Sequence, residues 1–228
     1  MNVNQKQNRF VVDFKLLLIT GGKPPRQKWV DIISEAGEAG VRAVQFRAKD
    51  LPLREQFIMA GEIEKVTKRF GMKLFINDRI DLCLAINADG VHLPAAGLPV
   101  PVARQLLGKT KGIGVSCHSL EEVLRAESDG ADYAVLGPIY DTASKRPYGA
   151  PLGIDSFRQV RQWVSIPLFA IGGIKTKQIP EVMKASADAV AMISEIMEAR
   201  EVKAQCRVIL NQIESCGQRN AFRKPQMP

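Results

Sequence analysis

The sequence has few residues that could stabilise a fold through disulfide bonds or a zinc ion. Its four cysteines, Cys83, Cys117, Cys206 and Cys216, show neither Cys-x-x-Cys pairing nor a Cys/His cluster at zinc spacing. We therefore predict reduced thiols and no structural metal. Cys117 adjoins His118, but we interpret it as a small packed side chain because nothing in the sequence indicates a reactive thiolate.

Long apolar runs are also absent. No run approaches the roughly 18 uninterrupted apolar residues of a membrane span, and residues 1–10 lack the apolar core of a secretory signal. We therefore expect a cytoplasmic protein with no membrane partner.

Basic residues outnumber acidic ones, which gives a formal net charge of +8. Aromatic residues are only 6% of the chain, and they are not interleaved with the basic residues. Interleaved basic and aromatic residues are typical of nucleic-acid binding, so this sequence lacks that pattern. Part of the excess charge lies in the polar C-terminal stretch 217–228. The charge is therefore explained by a solvated surface and a phosphate-binding pocket, and we expect no nucleic-acid partner.

Eight short apolar runs alternate with helical patterns, which predicts parallel strands joined by right-handed helical crossovers. Eight such units close most naturally into a single (β/α)8 TIM barrel, and a doubly wound open sheet is the alternative. The predicted strands are Leu16 to Thr20, Ala43 to Phe46, Lys73 to Ile76, Gly90 to Leu93, Gly112 to Val115, Tyr133 to Leu136, Pro167 to Ile171 and Ala189 to Ile193. The clearest helical patterns are Trp29 to Ala39, Arg54 to Phe70, Leu120 to Ser128, Ile154 to Trp163 and Ile179 to Ala185.

The domain organisation follows from the absence of any linker rich in Pro, Gly or Ser. We predict one domain over residues 1–228, with the barrel over about 15–215 and a flexible C-terminal tail over about 216–228. Val202 to Ile213 is the predicted closing helix. The segment before the first strand has too weak a pattern to assign.

Polar residues follow the second and third predicted strands, where the carboxyl ends of the strands form the active rim of a TIM barrel. Gln45 and Arg47 lie on one face of an extended chain, and Lys49 comes next. Asn77 and Asp78 end the third strand, and Asp78 could also cap the helix that follows.

Both histidines of the chain fall at the same rim. His92 ends the fourth strand, where it is either a core residue or a site residue. His118 follows Ser116 and the fifth strand. Ser119 with Glu122 has the spacing of a capping box, so a helix should begin just after His118. The positive end of that helix favours a neutral imidazole, which makes His118 a candidate proton-transfer group.

Three further loops are predicted to bind anions. The long segment 137–153 follows the sixth strand, and Thr142, Ser144 and Lys145 could hold an anion there, although a solvated loop is the simpler alternative. Strand seven ends in Gly172 and Gly173, and strand eight ends at Ile193 and Ser194. These two loops form the usual phosphate cradle of such barrels.

Five segments give the chain a family resemblance from about Leu16 to Ile196. The sequence resembles the thiamin phosphate synthase family, which includes the related thiazole tautomerases. The segments that carry this resemblance are VQFRAKD from Val44, INDRIDLCLAINADGVHL from Ile76, IGVSCHSLEEV from Ile113, GADYAVLGPIYDTASK from Gly130 and IPLFAIGGI from Ile166.

The resemblance implies roles for individual residues. In a synthase, Asp78 would be a magnesium ligand and Ser116 would lie beside the reacting centre. Gln45, Arg47, Lys49, Asn77 and Lys145 would hold a pyrimidine diphosphate. Thr142, Ser144, Gly173, Ile193 and Ser194 would lie around the phosphate of a thiazole.

One departure from the family pattern is Gly97, which stands where the synthases have a second magnesium-binding aspartate. This departure, with Pro94 after the strand-four leucine, favours the tautomerase branch, which moves a proton on a carboxythiazole phosphate through a histidine at His118 and needs no metal. The alternatives are a synthase that uses Mg²⁺ and a non-catalytic thiazole or thiamin phosphate binder. An unrelated phosphate-binding barrel enzyme fits fewer segments. A homo-oligomer is compatible with all of them.

Overall fold

A computed structural model describes residues 9–22, 24–142, 146 and 149–220. The eight parallel strands pair in chain order, and the first strand also pairs with the eighth, so the sheet is a closed barrel. This confirms the predicted (β/α)8 TIM barrel, and the closing pair excludes the open sheet. No helix within the described residues is long and apolar enough to cross a membrane.

The strands lie where the apolar runs predicted them. They are β1 (Leu16–Ile19), β2 (Ala43–Phe46), β3 (Lys73–Asn77), β4 (Gly90–Leu93), β5 (Gly112–Cys117), β6 (Tyr133–Leu136), β7 (Leu168–Ile171) and β8 (Ala189–Met192). The main difference is β5, which continues past the predicted end at Val115. Ser116 therefore lies inside the strand, paired with Val135, and has a fixed direction into the barrel.

Helices separate the strands and cover the outside of the barrel. They are α1 (Trp29–Ala39), α2 (Leu53–Arg69), α3 (Ile80–Ala85), α4 (Val100–Leu107), α5 (Leu120–Ser128), α6 (Gly153–Trp163), α7 (Ile179–Lys184), α8 (Ser194–Met197) and α9 (Val202–Asn220). The closing helix α9 extends beyond the predicted end at Ile213. Its buried stripe of Cys206, Ile209 and Ile213 continues to Cys216, so packing against the barrel supports another turn.

Alternate strand residues point into the barrel and form an inner core that is rich in aromatic rings. Phe75, Tyr133 and Phe169 come from β3, β6 and β7, and all three are fully buried. The Tyr133 ring stacks on Phe169 at 4.9 Å between centroids and meets Phe75 edge-on at 5.4 Å. Gly112 and Gly114 on β5 supply the space: a Cβ atom on Gly114 would lie 2.1 Å from Tyr133 Cζ.

The segment before β1 closes the amino-terminal end of the barrel. Phe14 contacts Tyr133 and Phe169 at 6.1 and 5.6 Å between ring centroids. Phe10 packs edge-on against Phe75, and its backbone N–H donates to the carbonyl of Lys109. This segment is therefore part of the core, a role that its weak sequence pattern did not reveal.

The inner packing makes Gly114 intolerant of a side chain. We expect Gly114→Ala to lower the free energy of unfolding by about 1–3 kcal/mol, because the added methyl group must displace a fully buried ring. Gly61→Ala in α2 is the matched control, since nothing lies within 4 Å of its added Cβ. It should raise stability by roughly 0.5–1 kcal/mol through helix propensity. Urea unfolding measures both, and equal stability of the two variants would contradict the packing described.

Candidate active site

The inward-facing residues at the carboxyl ends of β2 to β5 form one polar layer above the aromatic core. Gln45, Asn77, His92 and Ser116 belong to it, and Asn77 is the strand partner of His92. Gln45 Nε2 donates to Asn77 Oδ1 at 3.0 Å, and His92 Nε2 lies 2.9 Å from Ser116 Oγ. The structure thus brings these four predicted site residues together as two neighbouring pairs.

Gln45 has an unused hydrogen-bond acceptor. The residue is 2% exposed, and its Oε1 has no hydrogen-bond partner within the described residues. A buried amide oxygen without a donor costs free energy, and such groups mark places where a ligand or water completes the site. A ligand N–H group would satisfy Oε1 while Nε2 stays bound to Asn77.

Thr20 fixes the loop that carries Arg47 and Lys49. The Arg47 N–H donates to Thr20 Oγ1 at 2.8 Å, and the same hydroxyl donates to the Arg47 carbonyl at 3.2 Å. Neither the Arg47 guanidinium nor the Lys49 ammonium forms a hydrogen bond or ion pair in the described part of the chain, so both cations are available to an anion. The sequence placed Thr20 at the end of an apolar strand, and only its polarity hinted at this role.

Asp78 does not cap α3, contrary to one interpretation of the sequence. Arg79 is the N-cap residue, with no side-chain capping bond. Asp78 adopts a left-handed conformation with φ of 65°, which Asp tolerates better than most residues, and its N–H donates to the His92 carbonyl at 2.9 Å. Its exposed carboxylate makes no hydrogen bond or ion pair to a described residue.

Other acids near the rim are already paired. Asp50 binds Arg26, and Asp141 binds Arg146, whose guanidinium holds the pKa of that carboxyl below its usual range. The described residues contain no cluster of three or more acids, histidines or cysteines that could hold a metal. Asp78 therefore remains as a single candidate ligand, and Mg²⁺ is often held by one carboxylate together with substrate phosphates.

Gly97 could not accept an aspartate in its present conformation. Its N–H donates to the Pro94 carbonyl at 2.8 Å, which closes a tight turn. A Cβ atom at Gly97 would lie 2.8 Å from Pro94 Cδ. The loop at Gly97 thus differs in structure from a loop that presents a second metal-binding acid. More than a single substitution separates this loop from the two-acid pattern.

His92 is a core residue that also reaches the site. It is 3% exposed, and its Nδ1 lies 3.3 Å from the Tyr133 hydroxyl while its Nε2 contacts Ser116. Burial lowers the pKa of His92 to about 3, so the ring is neutral at physiological pH. The core alternative is therefore confirmed, while a substrate contact by His92 stays a prediction. Sequence reasoning missed Tyr133, which it read only as part of an apolar run.

His118 lies at the rim but apart from these two pairs. Its side chain is 49% exposed, and its Nδ1 lies 3.6 Å from the Glu122 carboxylate. Ser119 caps α5 by accepting from the Glu122 N–H at 3.2 Å, as predicted. The Glu122 carboxylate accepts from the His118 N–H at 2.6 Å, so it reaches one residue further than a standard capping box. Proton transfer by His118 stays a prediction.

The loops after β6 and β7 are packed directly on each other. Gly172 and Gly173 have φ of 98° and 64°, and a Cβ atom would lie 2.5 Å from Pro138 Cα and 2.5 Å from the Asp141 carbonyl oxygen, respectively. Glycine is required at both positions. Thr142 follows this contact directly in the chain, whereas Ser144 and Lys145 lie outside the described residues.

The opposite side of the cradle is tied down by Glu195, which follows Ile193 and Ser194 at the start of α8. Its carboxylate accepts from the Thr176 N–H at 3.0 Å and pairs with Lys175 at 3.1 Å. Burial acts to raise the pKa of Glu195, but the hydrogen bonds from Thr176 and the Lys175 charge bring it below its usual value. The β7 loop and α8 are therefore held together. The described contacts do not test the predicted phosphate role of the cradle.

Comparison with known proteins identifies the family. A family model described as thiamine monophosphate synthase matches residues 16–196. The chain belongs to the thiamine monophosphate synthase family. A putative thiamine-phosphate synthase of Geobacter sulfurreducens is 44% identical over 204 residues, which are 87% of this chain and 94% of that protein. A thiamine-phosphate synthase of Chloroflexus aurantiacus is 41% identical over 198 residues, 86% of this chain and 91% of that protein.

A solved structure agrees with this membership. The thiamine phosphate pyrophosphorylase from Pyrococcus furiosus shares 34% identity with a TM-score of 0.80, over 89% of this chain and 96% of that one. The chain is thus an enzyme of the thiamine-phosphate synthase family in thiamine biosynthesis. The names of these relatives fit the synthase alternative better than the thiazole tautomerase that Gly97 suggested.

The buried state of His92 predicts a pH dependence of stability. In the unfolded chain His92 binds a proton near pH 6.5, whereas in the folded chain its pKa is about 3. Between these values the unfolded state binds more protons, so stability falls as the pH falls. Relative to His92→Gln, wild type should lose about 1 kcal/mol per pH unit between pH 6 and pH 4.

Urea unfolding at several pH values measures this difference, and His118→Gln is the control because that ring is half exposed. Wild type and His92→Gln should diverge, while wild type and His118→Gln should stay nearly parallel. Parallel curves for wild type and His92→Gln would show that the native ring takes up protons normally.

Proposed function

We propose that this protein is a thiamine-phosphate synthase. It would join the ring nitrogen of a thiazole phosphate to the methylene carbon of hydroxymethylpyrimidine diphosphate, as the bond from that carbon to the diphosphate oxygen breaks. The observation that carries the proposal is the unpartnered Oε1 of buried Gln45 beside Asn77. An aminopyrimidine offers the N–H donor that this acceptor lacks.

The available cations support the same assignment. Negative charge develops on the diphosphate as it leaves, and fixed positive charge nearby stabilises that transition state. Arg47, whose backbone is held by Thr20, and Lys49 form no ion pair with a described acid, and both follow Gln45 closely at the end of β2. A diphosphate attached to a pyrimidine bound at Gln45 would meet them.

Mg²⁺ is the cofactor that we propose for the synthase. Asp78 would hold it with the diphosphate and water, and the ion would neutralise leaving-group charge. Asp50 and Asp141 are each paired with an arginine and Gly97 has no side chain, so none of these three positions offers a free second acid. We therefore expect the metal to bind together with the diphosphate and only weakly without it.

The thiazole phosphate would occupy the cradle of Gly173, Ile193 and Ser194. The β7 loop lies against the β6 loop, since the Tyr140 N–H donates to the Gly172 carbonyl at 2.9 Å. Thr142 follows Asp141, whose carbonyl packs on Gly173, and this supports the family resemblance, which puts Thr142 near the thiazole phosphate. The tautomerase remains the second candidate, because Gly97 and the rim position of His118 favour it.

A direct assay separates the two activities. We expect thiamin phosphate to form from both substrates with Mg²⁺ and to stop with EDTA. Asp78→Asn should reduce kcat/KM roughly 10²-fold, since it removes a rim carboxylate that pairs with no described residue. Asp155→Asn is the control, because Asp155 is an exposed α6 acid paired with Arg158.

The same protein should be assayed with the two carboxythiazole phosphate tautomers. His118→Ala should keep synthase turnover within a few-fold of wild type, because His118 contacts neither polar pair. The proposal would be overturned by three results together: the tautomers interconvert without metal, His118→Ala abolishes this interconversion, and no thiamin phosphate forms. These results would establish the tautomerase.

A further inference from the structure

The Tyr133 hydroxyl has one polar partner among the described residues. Its ring is fully buried between Phe14, Phe75 and Phe169, and its hydroxyl oxygen lies 3.3 Å from His92 Nδ1. The ring packing and the absence of a side chain at Gly114 fix where this oxygen lies. A buried hydroxyl hydrogen without an acceptor is costly, so Tyr133 donates to His92 Nδ1.

This donation decides the tautomer of His92. A neutral imidazole has one N–H and one acceptor nitrogen. His92 is 3% exposed, and its two ring nitrogens contact only the hydroxyls of Tyr133 and Ser116, with no described acid to stabilise a charged ring, so the ring is neutral. Since Nδ1 accepts from Tyr133, the proton is on Nε2, and Nε2–H donates to Ser116 Oγ at 2.9 Å.

The direction of these two bonds decides what Ser116 can do. Its oxygen receives a hydrogen from His92, so its own hydroxyl hydrogen is free to point to the barrel mouth. The opposite tautomer would let Ser116 donate to Nε2 as in a serine activated by a base, and would leave the Tyr133 hydrogen without an acceptor.

We propose that Tyr133 is a positioning residue that acts through His92 to present the Ser116 hydroxyl as a hydrogen-bond donor to an acceptor atom of the substrate. Ser116 is then neither a nucleophile nor a proton donor to His92. The part of this proposal that concerns the substrate rests on the proposed synthase function, whereas the tautomer of His92 does not.

Nitrogen NMR of protein labelled with ¹⁵N in the histidine rings tests the tautomer without any activity. The chain has two histidines, so His118→Gln assigns the spectrum. At pH 7, His92 should show a protonated Nε2 and an unprotonated Nδ1. Tyr133→Phe should shift the ring toward a mixture of tautomers. Tyr140→Phe, which removes a hydroxyl bound to Glu181, should leave the His92 signals unchanged. A protonated Nδ1 in the wild type would overturn the proposal.

Enzyme kinetics then test the role of the hydrogen bonds that run from Tyr133 through His92 to Ser116. Tyr133→Phe should lower kcat for thiamin phosphate formation roughly 3- to 10-fold, with little change in either KM. In a Ser116→Ala background the same substitution should cause no further loss, because the effect passes through that hydroxyl. An equal loss in both backgrounds would mean that Tyr133 only supports the fold, and would contradict the proposal.

The outcomes separate this proposal from the proposed function. If Tyr133→Phe does not fold, the wild-type spectrum still decides the tautomer. If the protein makes no thiamin phosphate but His92 is protonated at Nε2, the synthase assignment fails while the bond directions stand. If thiamin phosphate forms but Nδ1 carries the proton, the positioning role fails and the synthase assignment stands.

Discussion

The fit of Tyr133 against Gly114 is the contact on which the upper part of the barrel depends. A large ring on β6 fills the space that glycines on β5 leave open, and Phe75, Phe169 and Phe14 hold that ring from other sides. Because the ring cannot shift, its hydroxyl lies at a fixed height below His92. The apolar core thereby determines the geometry of the polar layer. A loss of packing in this core would therefore disturb the orientation of the polar side chains above it.

The rim above this layer combines unpaired cations with very few free acids. Asp50 and Asp141 are each neutralised by an arginine, Gly97 has no side chain, and Asp78 forms no ion pair with a described residue. Neither Arg47 nor Lys49 forms an ion pair with a described acid, and Arg47 acts on Asp50 only at longer range. Such a balance suits a highly charged anion that brings its own metal ion, because a site with two free acids would bind the cation before the anion arrived.

The spacing of the apolar residues was enough to predict the barrel. Buried parallel strands appear in the sequence as short continuous apolar runs, and the helices between them appear as apolar stripes. The spacing also placed Gln45, Asn77, His92 and Ser116 at one rim. The pattern could not show that His92 meets Tyr133, 41 positions away, because that contact depends on the barrel closing. The pattern also could not show that Asp78 adopts a left-handed conformation and therefore does not cap α3.

Family resemblance added residue roles that neither periodicity nor spacing supplies, and it drew attention to Gly97. The weight placed on Gly97 favoured the tautomerase, whereas the intact Gln45 and Asn77 pair and the relatives favour the synthase. A single lost acid is a weaker guide than an intact pocket, since substrate phosphates can replace a carboxylate as metal ligands.

Calorimetric binding of hydroxymethylpyrimidine diphosphate in the presence of Mg²⁺ tests the retained pyrimidine pocket most directly. Wild type should bind it, and Gln45→Met, which keeps the volume but removes the amide, should bind it roughly 10-fold more weakly while its affinity for thiazole phosphate is unchanged. If wild type does not bind the pyrimidine diphosphate, or if Gln45→Met binds it equally well, the pocket does not serve a pyrimidine and the account is contradicted.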